Sequence, residues 1–313
     1  MPRLSRLLSL RPRLHAGRAL LIGLPFGWLL AFFLLPFLIV LKYSVSRMGE
    51  IAVGDVIQKV DGGFSATLKY ANFVHVLTDG LYADAYLSSL EYAGLTTLCC
   101  LAIGYPFAYF MARAKPSAQP TLLMLVTLPF WTSFLLRVYS WKGLLSPGGW
   151  VYEALVRTHA SDVLARMGFI DEPTSLMHTA FSLVLGMTYT YLPFMILPLY
   201  SNLAKLDLRL LEAAADLGAT PWTAFWRVTV PLSWPGIFAG SMLVFIPCIG
   251  DYVTPELLGG PRTLMIGRVI WDEYFSNNDP PMACAVAALL VLLIVVPLAM
   301  FNKYKAELQE TPR

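Results

Sequence analysis

The residues with the clearest potential for chemistry are ionisable side chains that interrupt long apolar stretches. Asp251 and Glu256 lie in the sequence GDYVTPELLGG, and Glu91 and Arg137 border other apolar stretches. An ionisable group is costly in a lipid environment, so it is a functional candidate by default. Carboxylates beside aromatic faces bind ammonium groups. These residues are therefore the first candidates for a functional site.

The spacing of the two carboxylates limits how they can act together. Asp251 and Glu256 are separated by roughly 140° around a continuous helix, so both need not face one cavity. Pro255 lies between them and can break the helix. Arg137 is expected to satisfy a carboxylate or backbone carbonyls, because its charge would repel a cation. With the aromatic side chains that could accompany the acids, the predicted cargo path contains Asp251, Tyr252, Glu256, Trp131, Tyr139 and Tyr189.

The composition is that of a membrane protein. The chain has 313 residues, of which 57% are hydrophobic and 14% charged, whereas about a quarter of the residues of an ordinary soluble domain are charged. Its apolar stretches are long enough to cross about 30 Å of hydrocarbon as helices. We predict an all-α polytopic fold, a transmembrane domain over 19–303, with six spans at about 19–41, 86–112, 119–141, 174–203, 235–257 and 281–301.

The distribution of Lys and Arg predicts the orientation. Segments 1–18, 112–120, 204–234 and 302–313 together hold more Lys and Arg than the segments on the other side, in a shorter total length. Such an excess favours the cytoplasmic side. An N-terminal segment (1–18) and a tail (304–313) are therefore predicted to be cytoplasmic. Acidic residues lie mainly in the outer segments, which suits a cationic cargo or a charged docking partner. The alternative is that they only keep these loops in contact with water.

The sequence lacks the local signatures of several enzyme classes. It contains no G-x-x-x-x-G-K-[ST] phosphate loop, no H-E-x-x-H and no G-x-S-x-G. Its histidines are scattered in loops and at span ends, without the spacing of metal ligands. We therefore expect no catalytic residue, metal or cofactor in this chain, and no nucleic acid partner.

Segment 204–234 is predicted to form a helix, a sharp turn and a second helix. Asp207 can cap a helix over 208–217. Gly218 fits the position just past that helix, where the backbone is left-handed. Thr220 is a suitable cap for the helix that follows. Segment 204–234 is thus predicted to be a structured cytoplasmic loop.

The second helix of this loop carries unusual residues for the cytoplasm. Pro221 and Pro231 are predicted to begin and end it. Trp222, Phe225 and Trp226 are large apolar groups where an inner loop is normally polar. An exposed apolar patch on a rigid turn is typical of a protein-docking site. The alternative is that these aromatic rings lie in the lipid interface, which Trp favours.

The sequence EAAADLGATPWTAFWRVTVP resembles the EAA loop of ATP-binding-cassette importer permeases. The family pattern is E-A-A, three residues, Gly, nine residues, then Ile-x-Leu-Pro. Here Glu212, Ala213 and Ala214 precede Gly218 at that spacing, and the loop ends in VTVP at Pro231. Valine in place of Ile and Leu preserves apolarity and approximate size.

Further stretches extend the resemblance over nearly the whole chain from Leu20 onward. They are similar to the polyamine branch of this family, and most of all to its putrescine permeases: IGYPFAYFMAR, LPFWTSFLLRVYSW, TYTYLPFMILPLY and GDYVTPELLGGP. The resemblance implies a multi-pass subunit of the bacterial inner membrane with the type I importer fold. Its implied partners are two copies of an ABC ATPase subunit, a second related permease and an extracytoplasmic polyamine-binding protein.

The resemblance also implies roles for particular residues. Glu212 is expected to brace the loop by pairing with Arg209. The residues implied in coupling to the ATPase are Glu212, Ala213, Ala214, Gly218, Pro221, Trp222 and Pro231. Two alternatives remain open, an importer for another solute such as iron, thiamine or an anion, and a self-sufficient secondary transporter. The acidic residues of the fifth span argue against an anion.

Overall fold

The computed structural model describes residues 11–46, 57–60, 63–66 and 70–310. Residues 1–10 of the predicted N-terminal segment and 311–313 of the predicted tail lie outside the described residues. The chain divides into two compact units, one comprising Met1–Thr78 with Glu273–Arg313 and the other comprising Asp79–Asp272.

The described chain is almost entirely helical. The helices are α1 (Arg11–Ser44), α2 (Ala71–Thr78), α3 (Gly80–Arg113), α4 (Gln119–Thr127), α5 (Phe134–Leu145), α6 (Trp150–Arg157), α7 (Ala160–Arg166), α8 (Ala180–Leu203), α9 (Arg209–Asp216), α10 (Pro221–Ala224), α11 (Val230–Leu232), α12 (Trp234–Ile249), α13 (Val253–Leu258), α14 (Ile266–Trp271) and α15 (Pro280–Glu310). A 3₁₀ turn spans Leu128–Trp131, and π turns span Phe225–Thr229 and Asp272–Ser276. A short hairpin pairs β1 (Ile57–Val60) antiparallel with β2 (Gly63–Ala66).

In the first unit, α15 packs against α1 and α2. The buried side chain of Asn72 in α2 fastens the end of α1. Its Nδ2 donates hydrogen bonds to the carbonyl oxygens of Ser44 and Ser46, at 3.2 and 3.4 Å. From Leu20 onward, most large apolar side chains of α1 are exposed. Such a helix surface is suited to hydrocarbon rather than to water.

The core of the second unit is formed by α3, α8 and α12, which pack against one another. Glycines allow the close approach. A Cβ at Gly240 of α12 would lie 2.8 Å from Met195 Sδ in α8, and one at Gly104 of α3 would lie 3.1 Å from Met195 Cγ. A Cβ at Gly236 would lie 2.7 Å from Asn202 Cβ. Small residues at these positions therefore serve helix packing.

Three described helices are long and apolar enough to cross a membrane unbroken: Leu20–Ser44, Gly80–Arg113 and Ala180–Leu203. Two bent pairs bring the number to five if each pair is one span: Gln119–Trp131 with Phe134–Leu145, bent by 87°, and Pro221–Leu232 with Trp234–Ile249, bent by 62°. Pro280–Val296 is a shorter apolar helix.

Two of the predicted spans contain breaks. The first break, within 119–141, follows Pro129, which has no N–H to continue the hydrogen-bond pattern. Thr132 there has an extended backbone, and its Oγ1 donates a hydrogen bond to the Pro129 carbonyl at 2.8 Å. The second break, within 235–257, lies at Gly250–Tyr252 and not at Pro255, which instead lies inside α13. Pro255 is tolerated there because the first turn of a helix needs no N–H donor.

Candidate functional site

The first half of segment 204–234 ends in a turn that requires glycine. Asp207 Oδ1 accepts a hydrogen bond from the Arg209 amide at 3.0 Å, which caps the start of α9. At the other end, Gly218 has φ of 84°. The amides of Gly218 and Ala219 donate to the carbonyls of Ala215 and Ala214, at 2.8 and 3.0 Å. This is a Schellman motif, and it fixes the direction in which the chain leaves α9.

The second half starts as the sequence predicts but does not end at Pro231. Thr220 Oγ1 accepts a hydrogen bond from the Thr223 amide at 3.3 Å, and Pro221 occupies the first turn of α10. The helix then widens into the π turn, with the Val230 amide bonded to the Phe225 carbonyl. The wider turn accommodates Pro231, which lacks an N–H, so helical structure continues to Leu232. The helix thus stops one residue after Pro231 and before α12, from which it is bent by 62°.

Three large apolar side chains project from this turn, Leu217, Trp222 and Trp226, with exposed fractions of 90%, 70% and 53%. We call these three residues the aromatic surface, after its two indoles. The two indoles contact each other with ring centroids 5.8 Å apart. Phe225 lies behind them and packs edge-on against Tyr105 and Tyr109 of α3, at 5.7 Å in each case. The aromatic surface is thus anchored to a core helix.

The residues that carry the E-A-A pattern lie on α9. Glu212 and Ala213 are exposed, and Ala214 is partly buried. Among the described residues, Glu212 makes no ion pair with Arg209, contrary to the prediction. Both side chains are close to water, where such a pair contributes little.

Asp251 holds the break between α12 and α13. Its side chain is buried, with 8% of the residue exposed. Oδ1 accepts hydrogen bonds from the amides of Val253 and Thr254, at 3.0 and 3.3 Å. Oδ2 accepts from the Thr254 hydroxyl at 2.6 Å and from the Tyr191 hydroxyl at 3.3 Å. Both carboxylate oxygens are therefore engaged inside the protein.

Glu256 lies in a different environment, at an open cleft of about 440 Å³. Its Oε2 is 2.8 Å from Nε of Arg268 on α14, and the same Nε is 3.8 Å from Oδ2 of Asp272. His178, Pro261 and Leu264 are among the other lining residues. The cleft thus combines two carboxylates with one guanidinium, a set suited to binding charged groups.

Side chains of α3 and α8 hold the segment that carries this cleft. Ser182 Oγ donates to the Leu258 carbonyl, and Ser89 Oγ accepts from the Ile266 amide, both at 2.7 Å. His178 Nδ1 bonds to the Gly259 carbonyl at 3.0 Å. A Cβ at Gly260 would collide with the carbonyl oxygen of His178. The two ends of the cleft are therefore fixed to the core.

The predicted aromatic partners lie elsewhere. Trp131 is 83% exposed at the end of the 3₁₀ turn, and Tyr139 is exposed on α5. Tyr189 contacts Trp141 edge-on at 5.6 Å. None of these lines the described cleft. Tyr252 stacks on Trp271 with centroids 4.4 Å apart and planes 6° apart, which joins the start of α13 to the end of α14.

Arg137 and Glu91 also differ from expectation. Nε and Nη1 of Arg137 are buried without a hydrogen-bond partner, and its guanidinium lies 5.8 Å from the centre of the Phe134 ring. The expected hydrogen bonds from these two atoms to a carboxylate or carbonyls are thus not formed. Glu91 is exposed on α3, and it does not line the cleft.

Three residues that line the cleft are not predicted from the sequence: Arg268, Asp272 and His178. Arg268 and Asp272 lie outside the predicted spans, so the cost of charge in lipid gave no reason to single them out. His178 lies near the start of the predicted span 174–203, where no metal-ligand spacing singles it out. The spacing of Arg268 and Asp272 by four residues was the one available signal, because it places both on the same side of a helix.

Long apolar helices are features of a membrane protein, and an exposed apolar surface is typical of a protein that docks a partner. Comparison with known proteins gives the family. Residues 100–302 match the family described as "Binding-protein-dependent transport system inner membrane component". This chain belongs to that family.

Curated relatives match over most of their length. The chain is 38% identical over 286 residues to the spermidine/putrescine transport system permease protein PotB of Haemophilus influenzae, covering 91% of this chain and 92% of that protein. It is 36% identical over 275 residues to the protein of the same name from Escherichia coli, covering 88% and 93%. A molybdenum transport system permease protein of Mycobacterium bovis is 26% identical over 229 residues, covering 72% and 80%.

The fold is also similar to that of solved importers. A bacterial alginate ABC transporter, crystallised with a periplasmic protein bound to an alginate pentasaccharide, superposes with a TM-score of 0.64 at 17% identity, covering all of both chains. A second structure, of a bacterial ABC transporter that imports alginate, gives a TM-score of 0.57 at 15% identity, covering 97% and 98%. The architecture is therefore that of an ABC importer permease.

Proposed function

We propose that this chain is the transmembrane permease subunit of an ATP-driven importer of polyamines of the putrescine and spermidine class. The main support is the 38% identity, over nine-tenths of both chains, to a spermidine/putrescine permease. A cleft with two carboxylates suits a cargo whose charge is carried by ammonium groups. The chain forms half of the translocation path, and a related permease forms the other half.

In this proposal, the aromatic surface is the contact with a cytoplasmic ATPase. It is exposed, apolar and anchored to α3 through Phe225, so displacement of the turn reaches a core helix directly. Two ATPase subunits close around nucleotide and move the two permeases as rigid bodies. Both termini lie in the cytoplasm, and a binding protein delivers cargo to the opposite side.

The cargo path that we propose differs from the predicted one. Asp251 is removed from it, because its oxygens are occupied by protein donors. Glu256 remains in it, and Asp272 joins it from the same cleft. The proposed path reaches the aromatic residues only if it continues beyond this cleft, and only there can they contact cargo: Trp131, Tyr139 and Tyr189. In the predicted orientation, the cleft lies toward the outer side, where the binding protein docks.

Cargo competition tests the proposal. The four kinds of subunit would be reconstituted in liposomes, and ATP-driven uptake of radiolabelled spermidine would be measured against unlabelled competitors. Putrescine and spermidine are expected to compete, whereas thiamine, ferric iron and molybdate are not. Uptake of radiolabelled molybdate, with no uptake of radiolabelled spermidine, would instead favour the solute of the molybdenum relative.

A further inference from the structure

Arg268 is the least exposed member of the charged trio in the cleft. Its side chain is 30% exposed, whereas those of Glu256 and Asp272 are 52% and 43% exposed. Since one nitrogen lies 2.8 Å from Glu256 Oε2 and 3.8 Å from Asp272 Oδ2, these two oxygens are at most 6.6 Å apart. A single cationic group can therefore contact both carboxylates.

The guanidinium is held in this position weakly. Nε of Arg268 is buried but makes no hydrogen bond, so its attraction to Glu256 lacks the directional contribution of a well-aligned pair. Ion pairs between partly exposed groups contribute little net free energy. Glu256 and Asp272 belong to adjacent segments that the Tyr252 and Trp271 stack joins, so the spacing of the carboxylates does not depend on the Arg268 side chain. Another cation can therefore displace the arginine without rebuilding the cleft.

We infer that Arg268 is an internal competitor of the cargo. In the empty cleft, its guanidinium occupies the place that a primary ammonium group of a polyamine takes between Glu256 and Asp272. The cleft is thus never left with two unpaired carboxylates, and a bound polyamine must displace the arginine. Arg268 thereby sets the affinity of the cleft for its cargo. This inference rests on the proposed function and names the residue that tunes its cargo site.

Binding without transport provides the first measurement. The assembly of this chain, its permease partner and the ATPase, in nanodiscs without nucleotide, would be titrated with radiolabelled spermidine at constant ionic strength. Arg268→Gln is expected to bind spermidine about fivefold more tightly, because the competing cation is gone. Arg268→Lys keeps a cation and is expected to stay within about twofold of the parent chain. Equal or weaker binding by Arg268→Gln would overturn the inference.

Two further variants separate this role from a structural one. Glu256→Gln is expected to weaken binding about fivefold, and it keeps the inference falsifiable if Arg268→Gln does not assemble. Unchanged binding by Glu256→Gln would also overturn the inference. Arg157→Gln is the matched control, because Arg157 forms an exposed ion pair with Glu153 at 2.6 Å outside the cleft. Its affinity is expected to equal that of the parent chain, and a fivefold gain there would contradict a specific role for Arg268.

Uptake with the binding protein and ATP completes the test. Arg268→Gln is expected to lower the KM for spermidine without raising the maximal rate, and Arg268→Lys to restore the KM. If the parent assembly takes up spermidine normally and the KM is unchanged in Arg268→Gln, the role of Arg268 is overturned while the proposed function stands. No polyamine uptake by the parent assembly would overturn the proposed function.

Discussion

Asp251 and Glu256 are close in sequence, but their surroundings give them different roles. Asp251 is buried at a helix break, and protein donors engage both of its oxygens. Glu256 is about half exposed and faces a cleft. A buried carboxylate with satisfied hydrogen bonds stabilises the structure around it, whereas a partly exposed one in a cleft is available to a ligand. Asp251 is therefore expected to hold the helix break in place, and Glu256 is expected to bind the ligand of the cleft.

Replacing Asp251 by Asn is expected to destabilise the protein. The Asn amide oxygen can still accept the hydrogen bonds that cap α13. In the parent chain, the hydroxyls of Thr254 and Tyr191 donate to Asp251 Oδ2, and an amide nitrogen in that place cannot accept these hydrogen bonds. Loss of such buried hydrogen bonds costs about 1 to 3 kcal/mol. The thermal unfolding midpoint of the purified assembly should fall measurably.

Glu256→Gln is the matched control for this experiment, because it makes the same chemical change at a partly exposed site. Its unfolding midpoint should stay close to that of the parent chain. If Asp251→Asn unfolded at the parent temperature but lost spermidine uptake, Asp251 would belong to the cargo path after all.

At the scale of elements, the helix-turn-helix of 204–234 is a rigid unit. Gly218 closes one helix with a left-handed turn, Thr220 opens the next, and Phe225 fixes the pair to α3. Leu217 and Trp222 consequently remain exposed without folding back onto the protein. In the proposed importer, they are the groups that enter an ATPase.

Trp222→Ala is expected to weaken ATPase binding by about thirtyfold, since a Trp at the centre of an interface typically contributes about 2 kcal/mol or more. The affinity of the ATPase for the two-permease assembly in nanodiscs would be measured. Trp150→Ala is the control, because Trp150 is similarly exposed, at 71%, but lies on α6. Equal affinities for the two variants would show that the aromatic surface is not the docking site.

The same elements show what sequence could and could not predict. The left-handed turn at Gly218 and the cap at Thr220 depend on neighbouring residues, and both were predictable. The π turn that accommodates Pro231 was not predictable, because it begins at Phe225, which packs against Tyr105 and Tyr109 of α3, far away in the sequence. The cleft is formed where His178, which precedes α8, meets α13, α14 and the loop between them, so only Glu256 could be named from its local context. Trp131 is exposed beside the 87° bend between Gln119–Trp131 and Phe134–Leu145, and the continuous run of apolar residues gives no sign of this bend.

At the scale of the molecule, the family and fold describe a subunit that depends on others. The chain is an inner membrane component of a binding-protein-dependent transport system, with the architecture of an ABC importer permease. The sequence contains no phosphate loop, and the proposed function assigns ATP hydrolysis to a separate subunit. In the proposed function, the cleft takes the cargo and the aromatic surface takes the ATPase.

The most direct test of this account is the energy source for polyamine uptake. Proteoliposomes containing both permeases and the ATPase would receive binding protein and radiolabelled spermidine. One set would contain ATP, one a non-hydrolysable ATP analogue, and one a proton or sodium gradient without nucleotide. The account predicts uptake with ATP alone. Equal uptake driven by an ion gradient without ATP would contradict it.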